Sequence, residues 1–459
     1  MPAAERIDVQ HVIDSSTLSL LQYVVITLCF FIVFLDGYDT AIIGFVAPVL
    51  RTEWNVPLPE LRPLLTAALF GLALGALAAG PLADRFGRKS VLVGAVLVFG
   101  VLSLLSAFTR GLTELTIVRF LTGLGLGAAM PNATTLTAEY SPARNRSLLV
   151  TLMFCGFTLG AASAGFLAGF LIPSFGWQSV FLFGGTLPLV LAVALIAFLP
   201  ESLQFLAVKG QGGGAHSARI LARIAPGRRF TSDMFFMTPE VARTKGSYVS
   251  LLFQGGLSFG TVSLWTAYFM GLLVIFLIRS WLPTLVTIAG FSIERASVLG
   301  GMFDIGGTIG AILVAWCMDR FGAHMAIATS FFLGAGTIYV VALFLGAPSI
   351  LIATIFMAGF FLSGSQTALS PLAAAFYPTA GRATGVAWML GIGRFGGILG
   401  AFSGGVLLSF GWDFRTILTA LVIPAVLAAT AVALKGRRYS AVPAPATLVG
   451  VGAGESGRT

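Results

Sequence analysis

Six charged side chains lie inside long apolar stretches of this sequence, where a charge costs several kcal/mol unless it is paired or hydrated. Equal numbers of acids and bases permit internal ion pairs, which would be purely structural. The alternative is chemistry, because carboxylates can take up and release protons and guanidinium groups can bind anions. The six residues are Asp36, Asp39, Asp304, Arg119, Arg279 and Arg394.

Asp36 and Asp39 are three residues apart, so on a helix they share one face. Two carboxylates so close repel each other, which favours protonation of one of them. Gly37 between them lets the backbone loosen or a ligand approach. We therefore predict that this pair exchanges protons or gates a ligand, with a purely structural pair as the alternative.

Arg394 lies between glycines, about halfway along its apolar stretch. A guanidinium can hold a carboxylate through two parallel hydrogen bonds, so we predict that Arg394 binds an anionic ligand. The alternative is an ion pair with an acidic side chain. Arg279 lies near the end of its stretch and could simply snorkel toward water, and the sequence assigns no role to Asp304.

The elements that carry these residues must be membrane helices. The chain is 57% hydrophobic and 10% charged, with a mean hydropathy of +0.95, which excludes a soluble protein. A spanning helix needs about 20 apolar residues, and continuous runs without strict alternation favour helices over a barrel. We predict an all-α membrane protein with twelve spans, at 22–49, 63–83, 90–109, 115–137, 148–170, 178–199, 258–282, 294–316, 326–346, 350–371, 385–409 and 412–434.

Most of the 27 Lys and Arg residues fall in the loops on the side of both termini. The positive-inside rule then predicts an inner-membrane protein with cytoplasmic termini, and it explains the net charge of +9 without nucleic acid. The three cysteines lie in apolar runs without metal or disulfide spacing. We expect neither a metal nor a cofactor.

Two sequence motifs recur at one common offset. Asp84–Gly87 returns as Asp319–Gly322, and Ser174–Trp177 returns as Ser409–Trp412. An offset of six helices predicts two parallel halves around an axis normal to the membrane, with a site between them. The predicted divisions are a first half at 1–199, a cytoplasmic linker at 200–250, a second half at 251–435 and a cytoplasmic tail at 436–459. Within the linker, 215–224 fits either an amphipathic helix on the membrane surface or a flexible tether.

Several longer motifs resemble the major facilitator superfamily, and within it the aromatic acid:proton symporter family of bacteria. The superfamily motifs are Gly80–Lys89 and Arg119–Gly127. The residues closer to the aromatic acid family are Asp36–Thr40, Met130–Asn132, Trp281–Thr284, Tyr377–Thr379, Arg382–Gly385 and Gly391–Gly396.

This resemblance implies a major facilitator fold, a role for Arg119 in proton coupling, and a conformational role for charges at the cytoplasmic helix ends. Arg382 could join that gate or simply follow the positive-inside bias. The second loop departs from the first, because its later basic positions are not repeated and His324 takes one of them. The gate candidates are Asp84, Arg85, Arg88, Asp319, Arg320, His324 and Arg382.

The implied ligand, an aromatic acid, needs rings to stack on and a cation for its carboxylate. The residue types on core helices that fit are Tyr38, Gln366, Trp388 and Tyr268 beside Arg394, with Trp265 and Phe269 also available. For each aromatic residue, ordinary packing is the alternative.

The sequence therefore predicts a monomeric, proton-coupled importer of an acid such as 4-hydroxybenzoate, protocatechuate or benzoate, working by alternating access. Another organic anion (muconate, a dicarboxylate), a sugar or a drug is the alternative cargo. A membrane enzyme or sensor lacks support, because the sequence has no nucleotide-binding loop and no nucleophile or metal constellation.

The topology can be tested by labelling a cysteine placed at Gly212. We expect it to react with a membrane-impermeant thiol reagent only after the cytoplasmic side is exposed, because the basic residues around it are retained there. Labelling from the periplasm in intact cells would refute the twelve-helix arrangement.

Overall fold

The computed structural model describes residues 6–209, 213–231, 234–237, 250, 252–344, 348–377 and 382–439. Twelve of the described helices are long and apolar enough to cross a membrane, which confirms the predicted number. Membrane helices 1 to 12 are Leu20–Glu53, Leu61–Phe86, Arg88–Ser106, Leu112–Tyr140, Arg146–Phe175, Gln178–Phe198, Ser258–Ile288, Ile293–Phe321, Ala323–Leu343, Pro348–Phe376, Arg382–Ser409 and Phe414–Tyr439.

Most of these helices extend beyond the predicted spans, because helical turns continue past the apolar core into polar sequence. Membrane helix 1 begins with a capping box, in which the Gln22 backbone N–H donates to Ser19 Oγ and the Ser19 N–H donates to Gln22 Oε1 at 2.8 Å. These bonds satisfy backbone donors that have no partner within the helix. The apolar run alone therefore underestimates the length of the helix.

The repeated motifs form repeated turns. Gly87 and Gly322 end membrane helices 2 and 8 with φ angles of 91° and 90°, a region that glycine enters without steric cost. Gly176 and Gly411, in the second repeated motif, have φ angles of 79° and 78°. The sequence repeat is thus a repeat of backbone geometry.

The same helix pairs pack in both halves. Membrane helix 1 packs on 5, 2 on 4, and 3 on 6, and these contacts recur as 7 on 11, 8 on 10, and 9 on 12. Glycines allow the close approaches: Gly160 lies against the Phe34 carbonyl, and its counterpart Gly400 lies against the Leu273 carbonyl. The fold is therefore the predicted pair of parallel six-helix halves.

The most extensive contacts between the halves join membrane helices 1 with 7, 2 with 11, and 5 with 8. Leu20 and Tyr439 lie on one face of the bundle, which we call the termini face, and the opposite side is the far face. Gly44 contacts the Arg279 carbonyl and Gly165 contacts Gly301, both in the part of the bundle toward the far face. These contacts close the far face.

The linker packs on the first half. Its helix Gly213–Ile224 buries Leu221 and Ile224 in an apolar cluster with Val12 of the N-terminal helix Val9–Ser15. The strand Phe235–Met237 pairs in parallel with Arg6–Asp8. The helical alternative for 215–224 is therefore observed, with protein rather than lipid covering its apolar face.

Two glycines of membrane helix 11 provide a matched test of this packing. A Cβ at Gly400 would collide with the Leu273 carbonyl oxygen, whereas a Cβ at Gly391 meets nothing within 4 Å. We expect Gly400→Ala to lower the free energy of unfolding by about 1–3 kcal/mol through overpacking, and Gly391→Ala to leave it unchanged or higher. Thermal unfolding in detergent measures both, and equal effects would contradict this account of helix approach.

Candidate functional site

The first half contains a closed ion pair. Arg119 Nη1 donates to Asp39 Oδ1 at 2.9 Å, and Nη2 donates to Oδ2 at 2.5 Å. Ser103 Oγ donates a further hydrogen bond to the same carboxylate, at 3.0 Å from Oδ1. Both charged side chains are fully buried, so this bidentate geometry is what makes the pair tolerable. The charge of Asp39 is balanced inside its own half.

The second half contains another ion pair. Arg279 Nε donates to Asp304 Oδ1 at 2.8 Å, and Nη2 donates to the same oxygen. The side chains are 10% and 2% exposed, so Arg279 does not snorkel to water. Its guanidinium lies 5.4 Å from the centre of the Phe157 ring, which belongs to the first half. Asp304, which the sequence left without a role, is thus the partner of Arg279.

Asp36 and Arg394 are the two intramembrane charges without a direct ionic partner among the described residues. Asp36 is fully buried, accepts one long hydrogen bond from Thr40 at 3.4 Å, and keeps Oδ2 without a partner. Arg394 is half-buried and interacts electrostatically with Asp36, which lies on the other half. An acid and a base from different halves therefore interact electrostatically without a direct ion pair among the described residues.

Tyr268 and Gln366 complete the surroundings of Arg394. The Tyr268 ring lies against Gly393, next to the arginine. Gln366 Nε2 donates to the Tyr268 carbonyl at 3.2 Å, while its Oε1 is buried without a partner. This corner between membrane helices 7, 10 and 11 contains a cation, an aromatic ring and a buried hydrogen-bond acceptor, Gln366 Oε1, which packs against Gly271. It has the chemistry to hold a carboxylate, a ring and a hydroxyl donor.

The structure does not bring Tyr38 or Trp388 to this corner. Tyr38 is 1% exposed and donates its hydroxyl to the Val180 carbonyl at 3.1 Å, so it belongs to the core of the first half. Trp388 is 44% exposed and stacks on Trp265 with ring centres 6.0 Å apart. At about 100° per residue, it lies roughly 120° around the helix from Arg394, on the stripe of the exposed Phe395. Phe269 instead presents its carbonyl to Gly396.

The gate candidates fall into two groups. Asp84, Arg85, Asp319 and Arg320 are exposed at the ends of membrane helices 2 and 8. Arg382 begins membrane helix 11, and its side chain lies outside the part of the chain that the structure describes.

Arg88 and His324 contact partners within their own halves. Arg88 pairs with Glu139 and donates to Ser202 Oγ at 2.7 Å. His324 Nε2 lies 2.9 Å from Nζ of Lys435, which is itself buried beneath the Phe376 ring at 4.1 Å. The sequence reading missed Glu139, Ser202 and Lys435. Only Lys435 left a signal, as a charge directly after the predicted last span.

Residues 29–336 and 264–453 match the family model described as "Major Facilitator Superfamily". Together with the twelve-helix fold, this match defines a membrane transporter and not an enzyme. The chain belongs to the major facilitator superfamily, as its motifs indicated.

Two curated relatives are similar over nearly the whole chain. The chain is 50% identical over 436 residues to the 4-hydroxybenzoate transporter PcaK of Pseudomonas aeruginosa, covering 95% of this chain and 97% of that one. It is 47% identical over 444 residues to a gallate transporter of Pseudomonas putida, covering 96% and 98%. These relatives agree with the branch of the superfamily that the motifs resemble.

Solved structures share the fold at low identity. A D-xylose-proton symporter has a TM-score of 0.67 at 18% identity, covering 89% of this chain and 97% of that one. A bacterial homologue of the lysosomal transporter Spinster, inward-facing and unoccupied, has a TM-score of 0.68 at 17% identity, covering 93% and 99%.

Proposed function

We propose that this protein imports an aromatic monocarboxylate together with protons across the inner membrane. The observation that carries the proposal is Arg394, a half-buried intramembrane cation without an ionic partner among the described residues. A charge in that position is unfavourable unless a ligand or water satisfies it. The relatives named 4-hydroxybenzoate transporter and gallate transporter support an aromatic acid as that ligand.

Charge balance links the substrate to a proton. Asp36 and Arg394 together carry no net charge when the site is empty, and a bound carboxylate would add one negative charge to a desolvated site. Protonation of Asp36 restores neutrality, and its unpartnered Oδ2 can take the proton. The loaded protein then carries substrate and proton together, while Asp39 and Arg119 hold membrane helix 4 to helix 1 beside the exchange site.

The balance of charges at the site also favours a monocarboxylate over a dicarboxylate. At the central site, Arg394 is the one cation without an acidic partner among the described residues, so this site has charge for one carboxylate. Tyr268 provides a face for the substrate ring, and Gln366 Oε1 can accept a hydrogen bond from a ring hydroxyl. This set fits 4-hydroxybenzoate or a related hydroxylated acid better than a sugar, which has no charge for Arg394.

We propose that the termini face is cytoplasmic and the far face periplasmic, because most Lys and Arg residues lie in loops on the side of the termini. The contacts that close the far face then correspond to a state closed to the periplasm. In the outward-open state, we propose that Asp84, Arg85, Asp319, Arg320 and Arg382 make charge-assisted contacts between the halves. Arg88 and His324 stabilise the ends of the helices within each half. We also propose that the transporter is a monomer.

Substitution of Arg394 tests the substrate site. We expect Arg394→Ala to lose about 2–5 kcal/mol of binding, roughly thirtyfold to several thousandfold in affinity, and Arg394→Lys to keep part of it because the charge remains without the planar fork. Binding of 4-hydroxybenzoate and of 4-hydroxybenzamide to the purified protein measures the effect. Equal weakening of acid and amide would show that Arg394 is structural and that the carboxylate is held elsewhere.

Substitution of Asp36 tests the coupling. Asp36→Asn fills the same space but cannot release a proton, so we expect it to abolish accumulation driven by a pH gradient while exchange of internal for external acid continues. Asp39→Asn is the comparison, since it also removes a carboxylate but breaks the pair with Arg119. Undiminished accumulation by Asp36→Asn, at normal membrane expression, would refute proton exchange at Asp36.

A further inference from the structure

A second cation lies toward the far face from Arg394 and has its own aromatic surroundings. We propose that Arg279 forms an outer subsite, which binds the carboxylate of the aromatic acid when the far face opens and before the acid reaches Arg394. This inference rests on the proposed function for its substrate and orientation. It assigns to Arg279 a binding role besides its ion pair with Asp304.

The ion pair leaves donors of Arg279 available. A guanidinium has five N–H groups, and the two hydrogen bonds from Nε and Nη2 converge on a single oxygen, Asp304 Oδ1. Nη1 makes no hydrogen bond to any residue that the structure describes. Arg279 can therefore keep Asp304 as its partner on one edge and bind a ligand carboxylate on the other.

Aromatic rings from both halves surround this guanidinium. Phe157 of membrane helix 5 lies 5.4 Å from it, and Phe45 and Phe303 line the same small pocket together with Arg279 and Asp304. A flat apolar body with an anionic end is the class of ligand that a cation among phenyl rings recognises. Because Phe45 and Phe157 belong to the first half and Phe303 to the second, the rings separate when the halves move apart.

The pocket is too small for an aromatic acid in the present state, since it has room for about one water molecule. The reason is the tight contact of the halves: a Cβ at Gly44 would lie 2.5 Å from the Arg279 carbonyl oxygen, and a Cβ at Gly300 would lie 2.6 Å from the Phe45 ring. A substrate can enter only after these contacts open. The subsite therefore belongs to the state that faces the periplasm.

The pocket lies on the path to the central site. Phe45 is nine residues beyond Asp36 along membrane helix 1, or about 13 Å toward the far face at 1.5 Å per residue. Phe157, which stacks on Arg279, also presents its carbonyl to Gly37, the neighbour of Asp36. The two subsites are therefore contiguous.

A purely structural role explains the Arg279–Asp304 ion pair less well than an outer subsite does. The glycine contacts that recur in both halves, Gly160 with Phe34 and Gly400 with Leu273, relate Arg279 to Thr40 of the first half, so the first half forms without an arginine at that position. Buried ion pairs contribute little net stability, because desolvation offsets their attraction. The buried pair of the first half, Asp39 with Arg119, instead joins membrane helices 1 and 4, so the pair at the pocket is particular to the second half.

Side-resolved transport kinetics test the outer subsite. In proteoliposomes of uniform orientation, the half-saturating concentration of labelled 4-hydroxybenzoate is measured separately from the far face and from the termini face. Two variants are compared with the wild type. The double variant Arg279→Gln/Asp304→Asn removes both charges, and Arg279→Lys keeps the charge but loses the forked donors. Arg415→Gln, which removes an exposed arginine near the far face, is the matched control.

We expect both Arg279 variants to raise the half-saturating concentration from the far face by about tenfold or more, and to change that from the termini face by less than about twofold. The control should change neither value. Equal shifts on both sides, or no shift on either, would overturn the outer subsite. If the neutral double variant does not transport, Arg279→Lys is judged alone. A raised half-saturating concentration from the far face only supports the outer subsite, and equal shifts from both faces, or none, overturn it.

Arg394→Ala, measured in parallel, separates this inference from the proposed function. Loss of saturable transport from both sides in that variant supports the central site. If Arg394→Ala behaves as wild type while the Arg279 variants still show the asymmetric shift, the proposed role of Arg394 fails and the outer subsite stands.

Discussion

The cost of a bare charge in hydrocarbon governs how this bundle is arranged. Each half satisfies one aspartate and one arginine internally, Asp39 with Arg119 and Asp304 with Arg279. The third acid and the third base are divided between the halves, so no packing within a single half can join them. The unsatisfied charge consequently lies at the plane where relative motion changes its surroundings, which is where a transporter needs its ligand.

Much of the fold was accessible from the sequence, because long apolar runs and repeated turns report on local structure. The sequence also identified the six charges inside the apolar spans, although it missed the buried Glu139 and Lys435. It could not say which charges pair, since pairing depends on the rotation and neighbours of each helix. Asp36 and Asp39 are one turn apart on one face, yet Asp39 is held by membrane helix 4 while Asp36 interacts electrostatically with Arg394 of the other half.

The surroundings of each aromatic side chain could not be predicted from the sequence, for a related reason. Core, lipid and ligand are all apolar surroundings, so a ring on a membrane helix gives no sign of which one it faces. Tyr38 faces core and Trp388 lies on an exposed stripe, whereas Tyr268 lies beside Arg394. Lys435 was overlooked because a basic residue at such a helix end already satisfies the positive-inside bias.

The two copies of the glycine turn, at Gly87 and Gly322, have nearly the same φ but different neighbours. After the first turn, Arg88 and Lys89 meet carboxylates, with the Lys89 N–H donating to Glu201 at 3.0 Å. After the second, His324 meets a lysine beneath an aromatic ring. If the halves arose by duplication, the glycine preserved the backbone while the side-chain chemistry diverged. The halves are therefore no longer interchangeable: grafting Arg-Lys after Gly322 would place two cations beside Lys435.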